Sequence, residues 1–244
     1  MQKVQFGNTG FEVSRLGVGL SEIGSLELSD QDQATNVLNT ALDNGINFLD
    51  TSACYGISEE LVGNGDVIRA LQEAQQAGKT RFIGYSGDNE AAHWAVDSGL
   101  FATLQTSYNL VEQRARTSGL LEKAIAKGMG TIIKRPIAGG VWGKSRPDAP
   151  DPTASGYNTP YLERAKSVRA IGPIENEPDD AILTSLGYTL SDPNADVAIV
   201  GTTNPSHMAT NISQVDNGLP IPDSVIEELN RRFEQLDSDW AQRG

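Results

Sequence analysis

Apolar residues along the chain fall into short runs bounded by glycine, proline, asparagine and aspartate. Residues 4–6 and 11–13 flank Gly7-Asn8-Thr9-Gly10, the pattern of a hairpin. A strand follows at 16–20. Asp30 can cap a helix with Gln33 as capping-box partner, and Ala34, Val37, Leu38, Ala41 and Leu42 recur on one face. Asn44-Gly45 stops that helix, and residues 46–50 form a strand at once. A second helix is expected from Asp66, with Ile68, Leu71, Ala74 and Ala77 as its stripe and Gly78 as its stop. Next come a strand at 81–86, a helix at 89–98 closed by Gly99, and a strand at 102–108. A helix at 118–127, with Leu121, Ala124 and Ile125 inward, leads to a strand at 130–134.

The rhythm then breaks. Residues 138–160 cluster glycine and proline with serine, aspartate and threonine, and show no period; a long functional loop is expected there. Helical spacing returns at 161–170 and 179–190, before a strand at 196–202. Asn204 caps a helix with Pro205 at its first position. A last helix at 223–240 is expected to bury Val225, Ile226, Leu229, Phe233 and Leu236. Six core strands alternating with helices predict parallel βαβ units in one α/β domain spanning residues 1–244.

Composition narrows the partners. The 244 residues carry a net charge of −13, which disfavours nucleic acid and anionic membrane surfaces. No apolar run approaches the roughly 20 residues of a membrane span. The N-terminal MQKVQFGNTG has no hydrophobic signal core, and a lone cysteine, Cys54, allows no internal disulfide and no metal pattern. A cytoplasmic protein without a metal is the expectation.

Nearly every strand ends in polar residues: Asp50 to Tyr55, Ser86 to Asn89, Gln105 to Asn109, Lys134-Arg135, and Gly201 to Asn204. In a parallel barrel the C-terminal strand ends share one face, and active sites sit there. The apolar run Ile46, Phe48, Leu49 opens into Asp50, Thr51 and Ser52, with Tyr55 five positions beyond Asp50. A tyrosine can give a proton to a carbonyl oxygen while a nearby carboxylate orients it. No G-x-G-x-x-G follows the first strand, so a Rossmann site has no support. A phosphate would instead suit the start of the helix at Asn204-Pro205.

These motifs together resemble the aldo-keto reductases. FGNTGFEVSRLGVG is similar to the family's opening hairpin and first strand, and NFLDTSACYGISEELVG to its second strand. RFIGYSGDN, LQTSYNLVE, IIKRPIAGG and VAIVGTTNPSHMATN resemble its last four strand-end motifs. The resemblance implies a TIM-type (β/α) barrel that reduces an aldehyde or ketone with NADP or NAD as cofactor. It implies that Asp50 and Tyr55 are catalytic, with Tyr55 as general acid. Ser86 and Gln105 would hold the nicotinamide carboxamide. Backbone from Pro136 through Gly139 and Gly140 would follow the pyrophosphate. Lys134 would stand beside the cofactor. Gly201, Thr202 and Thr203 would line the adenosine end, with His207 and Asn211, one helical turn apart, at the adenine.

The chain departs from the family between Gly63 and Asn64. There the family carries two further βα units, whose strands end in its catalytic lysine and histidine. Their loss leaves about six core strands in a truncated barrel. Lys79 and His93 lie beyond the junction and are read as surface groups. Where NADP-preferring members place a lysine and an arginine, this chain has Gly201 and His207. Three readings follow: a carbonyl reductase; a relative that binds the dinucleotide without turnover; or a truncated product that folds poorly or only as an oligomer. An open sheet edge also suits pairing with a second copy.

Overall fold

The computed structural model describes residues 1–20, 31–50, 72–73, 75–78, 81–154, 156–237 and 240. The hairpin pairs β1 (Lys3–Gln5) with β2 (Glu12–Ser14), antiparallel. Six strands then form one parallel sheet: β3 (Leu16–Gly19), β4 (Leu49–Asp50), β5 (Gly84–Ser86), β6 (Thr103–Ser107), β7 (Gly130–Lys134) and β8 (Val197–Val200). Their order in space is β4-β3-β8-β7-β6-β5. The truncated barrel expected from the sequence is therefore the fold, a curled sheet in which β4 and β5 are the outermost strands among the described residues. These flank the chain segment that holds the Gly63–Asn64 junction, which lies outside the described residues.

Helices cover the outer face: α1 (Gln31–Asp43), α2 (Asn89–Ser98), α3 (Arg114–Thr117), α4 (Leu120–Ala126), α5 (Val141–Lys144), α6 (Thr159–Ala170), α7 (Ala181–Ser191), α8 (Pro205–Asn217) and α9 (Asp223–Leu236). Alternation along each strand divides the core in two. Leu16, Val18, Leu104, Ile133, Ala198 and Val200 point outward and pack under the helices. Ile132, Val197, Ile199 and Phe48 point inward and meet Phe6, Val13 and Phe11 of the hairpin. The hairpin thus plugs the N-terminal end of the barrel. Two glycines make this fit. At Gly130 a Cβ would lie 2.6 Å from the Phe6 ring. Gly7 has φ +50° and its Cα faces the backbone of residues 128–130, so an added Cβ would collide with main chain.

Several elements differ from the sequence expectation. The helix expected at 118–127 is α4, which begins only at Leu120 because Gly119 before it is left-handed, and the short α3 precedes it. Leu120, Leu121 and Ala124 are buried, and Ile125 is only partly so. Val37 and Ala41 carry the buried stripe of α1, whereas Leu42 is 50% exposed. The last helix ends at Leu236, not Trp240, and Ile226 and Leu236 are partly buried. The proposed capping box of α1 involves Asp30, outside the described residues; the Gln33 amide donates to the Thr203 carbonyl at 2.7 Å. The second helix is described only in fragments near its C-terminal end.

Residues 138–160 are not a structureless loop. They contain α5 and two single 3₁₀ turns (Ala138–Gly140 and Gly156–Asn158). The anchor is Trp142, fully buried, whose indole N–H donates to Glu177 Oε1 at 2.7 Å. The Arg169 guanidinium lies 3.8 Å over the Trp142 ring and donates to both Glu177 oxygens. A buried aromatic with a satisfied N–H and a stacked cation fixes a segment that periodicity does not reveal.

Candidate active site

The site follows from the same alternation. Phe48 and Ile132 face the lumen, so Asp50 and Lys134, two residues on, share that face. Leu104 and Tyr85 pack outward, which turns Gln105 and Ser86 inward. The β5–β6–β7 register stacks these residues in layers. Ser86 lies opposite Gln105, and Gln105 opposite Ile132. One layer further toward the C-terminal ends, Ser107 lies opposite Lys134. Asp88, two residues beyond Ser86, reaches the same layer.

A hydrogen-bonded chain crosses the mouth. The Ser86 hydroxyl donates to Gln105 Oε1 at 2.7 Å, and Gln105 Nε2 donates to Asp50 Oδ1 at 2.9 Å. It links β5 and β6 to β4, the opposite edge of the sheet. Burial pushes the Asp50 carboxyl above the usual aspartate range, and the Gln105 bond partly offsets that rise. Tyr55, the expected proton donor, lies outside the described residues, as does Lys79.

Beside this chain stands an ion pair, Lys134 Nζ to Asp88 Oδ2 at 3.1 Å. Asp88 also accepts from the Ser107 N–H at 2.6 Å, the Thr106 hydroxyl at 2.9 Å and the Ser107 hydroxyl at 3.2 Å. Burial alone would raise its carboxyl; Lys134 and these donors outweigh it and hold Asp88 below the ordinary range. The sequence pattern singles out Lys134 and not Asp88. The one signal it holds for Asp88 is the strand parity that carries Ser86 on to it.

The other expected residues lie around the rim. The buried Pro136 accepts from the Thr189 hydroxyl at 3.1 Å through its carbonyl, tying the loop to α7. Gly139 and Gly140 are both left-handed, at φ +66° and +73°. Gly139 is pressed by Asn158, whereas the space beside Gly140 is open. Gly201 is exposed after β8, and the Thr202 hydroxyl accepts from the Asn204 N–H at 3.0 Å. Asn204 caps α8 through Ser206 N–H at 2.9 Å, as expected. On α8, His207 is exposed and Asn211 is buried at 6% exposure, so the two differ in what they present to solvent. The structure therefore joins Asp50, Gln105 and Ser86 in one chain with Lys134 one layer further on, while Gly201 to Asn211 follow β8, which lies between β3 and β7, and run into α8. His93 faces Ser118 instead, Nε2 to Oγ 3.0 Å, beside a cavity of about 300 Å³ on the helix side of Asp88.

Among the described residues there is no cluster of three metal-ligating side chains, and no helix is long and apolar enough to cross a membrane.

Comparison with known proteins gives the family. The profile of the Aldo/keto reductase family matches residues 15–65 and 65–232, in two segments that meet beside the Gly63–Asn64 junction. L-galactose dehydrogenase of Arabidopsis thaliana is 24% identical over 281 aligned positions, covering 86% of each chain. That alignment is longer than the 244 residues here, so it carries gaps in this chain. Aldo-keto reductase YhdN of Bacillus subtilis (strain 168) is 39% identical over 67 residues, 26% of this chain and 20% of that one. The apo form of aldo-keto reductase AKR11C1 from Bacillus halodurans superposes with a TM-score of 0.70 at 18% identity, over 95% of this chain and 96% of that one. The family profile, which covers most of the chain, places it in the aldo/keto reductase family, a family of oxidoreductases.

Proposed function

We propose that the protein reduces the carbonyl of an aldehyde or ketone at the C-terminal mouth of its barrel. The observation that carries the reading is the convergence of Asp50, Gln105 and Ser86 on one lumen face, in one hydrogen-bonded chain. NADH or NADPH, when bound, supplies the hydride. The exposed Ser86 hydroxyl and the Gln105 amide suit its carboxamide, and the open space beside Gly140, next to Pro136 and Gly139, suits its phosphates. Gly201, Thr202, Thr203, His207 and Asn211 would hold the adenosine end. No lysine or arginine occurs from Gly201 to Asn211, which favours NADH, since a neutral histidine offers no fixed charge to a 2′-phosphate. Tyr55 gives its proton to the carbonyl oxygen, and Asp50 orients it.

One observation favours a second reading, a dinucleotide-binding relative without turnover. Among the described residues Asp50 accepts from the neutral Gln105 amide, whereas the family pairs this carboxylate with a lysine whose motif the sequence does not carry. Titrating the protein with NADH and NADPH by fluorescence, then adding a panel of aldehydes and ketones, separates the two. Carbonyl-dependent oxidation that Tyr55→Phe abolishes, with cofactor binding retained, is the expected result. Saturable binding with no oxidation would establish the second reading.

A further inference from the structure

Among the described residues, the six parallel strands carry two charged side chains, Asp50 and Lys134. Both stand at C-terminal strand ends and both face the lumen. An inward charge at the end of a strand whose other inward neighbours are apolar requires a partner, and Lys134 has Asp88. That partner is itself fixed by three further donors, from Thr106 and Ser107, so the pair is held rigidly. The Asp88 side chain is 6% exposed and that of Lys134 19%, so the carboxylate is covered while the ammonium keeps an open side. An ammonium has three N–H donors, and Asp88 occupies one direction.

We infer that Lys134 is a catalytic residue that donates a hydrogen bond to the carbonyl oxygen of the substrate, with Asp88 as the residue that positions it. The inference rests on the carbonyl-reductase reading above. In the reaction a hydride, with its electron pair, bonds to the carbonyl carbon. The π pair of the C=O bond moves to oxygen, which takes a proton from Tyr55, and the nicotinamide is oxidised. Lys134 donates a hydrogen bond to that oxygen as negative charge builds on it, and transfers no proton. A preorganised donor aimed at developing charge is worth more than the same donor in water, because it needs no reorganisation. The arrangement also answers the absence of the family's lysine and histidine. Lys134 enters from β7, across the lumen from Asp50 on β4.

The test uses the full chain and three variants: Lys134→Met, Lys134→Arg, and the double variant Asp88→Asn with Lys134→Met, which leaves no buried carboxylate without its cation. Each is measured for thermal unfolding, cofactor dissociation constant by fluorescence, and kcat and KM for the best carbonyl. The expected result is a fall in kcat of about 100-fold for Lys134→Met and for the double variant, the usual size for one lost oxyanion donor. Cofactor affinity stays within about twofold, and Lys134→Arg recovers part of the rate. A folded Lys134→Met or double variant with unchanged kcat overturns the inference and leaves the reductase reading intact. Weakened cofactor binding with kcat preserved at saturation also overturns it, by making Lys134 a phosphate contact. Wild-type protein without turnover would overturn the reductase reading first, and the inference with it.

Discussion

Replacing Gln105 by alanine removes the amide that ties Asp50 on one sheet edge to Ser86 on the other. Two bonds are lost, at 2.9 Å and 2.7 Å. A neutral hydrogen bond contributes about 1 kcal/mol and one to a charged group about 1.5–3 kcal/mol. Asp50 is half-buried and Ser86 exposed, so water replaces part of both. The expected loss near neutral pH is about 2 kcal/mol, or roughly 4–8 °C in Tm for a domain of this size. The loss also depends on pH. Burial raises the Asp50 carboxyl in the folded state, and the Gln105 bond pulls it partly back. Without that bond the carboxyl rises further. The penalty is therefore full where Asp50 is ionised in both proteins, and shrinks as pH falls through the range where Asp50 takes up its proton. Urea unfolding of wild type and Gln105→Ala at neutral and at mildly acid pH measures both effects. A loss under about 0.5 kcal/mol, or an equal loss at both pH values, refutes the reasoning.

Other variants test the frame that holds the site. Trp142→Phe removes the indole donor to Glu177 and leaves a void beneath Arg169; it should cost about 2–3 kcal/mol in urea unfolding and raise proteolysis between residues 138 and 160. Gly7→Ala forces a Cβ into the backbone of residues 128–130 at positive φ, so it should cost more than about 2 kcal/mol, while Gly10→Ala, with open space around it, should cost less. Glu228 accepts from Arg231 and Arg232, which hold its carboxyl down at about 2. A lowered folded-state carboxyl stabilises above the unfolded range and loses that effect as pH falls through the folded one. Glu228→Gln should therefore destabilise near neutral pH and converge on wild type as pH falls through about 2, as followed by thermal unfolding across pH.

How much of the fold and the site is legible in the sequence depends on the range of the interaction. Alternation along a strand is local, so the spacing of Phe48 with Asp50 and of Ile132 with Lys134 is enough to declare a shared face. Caps are local too, and Asn204-Pro205 starts α8 where the sequence puts it. Parity with Ser86 is all the local signal Asp88 has; its role depends on the β5–β6–β7 register, which brings Thr106, Ser107 and Lys134 to one carboxylate. The Trp142–Glu177–Arg169 cluster is equally hidden, since its members are separated by up to 35 residues, and glycine and proline around them mask the ordered core. Leu42 shows the converse. Spacing assigns it to the apolar face of α1, but it lies about 100° around the helix from Ala41 and so misses the sheet.

The family resemblance makes Asp50 the expected catalytic partner of Tyr55. In the fold its carboxylate is held by Gln105 at 2.9 Å, and a second charged residue, Lys134, stands on the far side of the same lumen. Hydride delivery to a carbonyl at this mouth has a direct test in isotope transfer. NADH deuterated at one or the other face of C4 is incubated with the protein and a reducible aldehyde, and the alcohol is analysed by mass spectrometry. The expected product carries one deuterium at the former carbonyl carbon from one labelled face alone, and Tyr55→Phe gives no labelled alcohol. Alcohol without deuterium from either face, or no alcohol from cofactor-saturated wild-type protein, would contradict hydride delivery at this site.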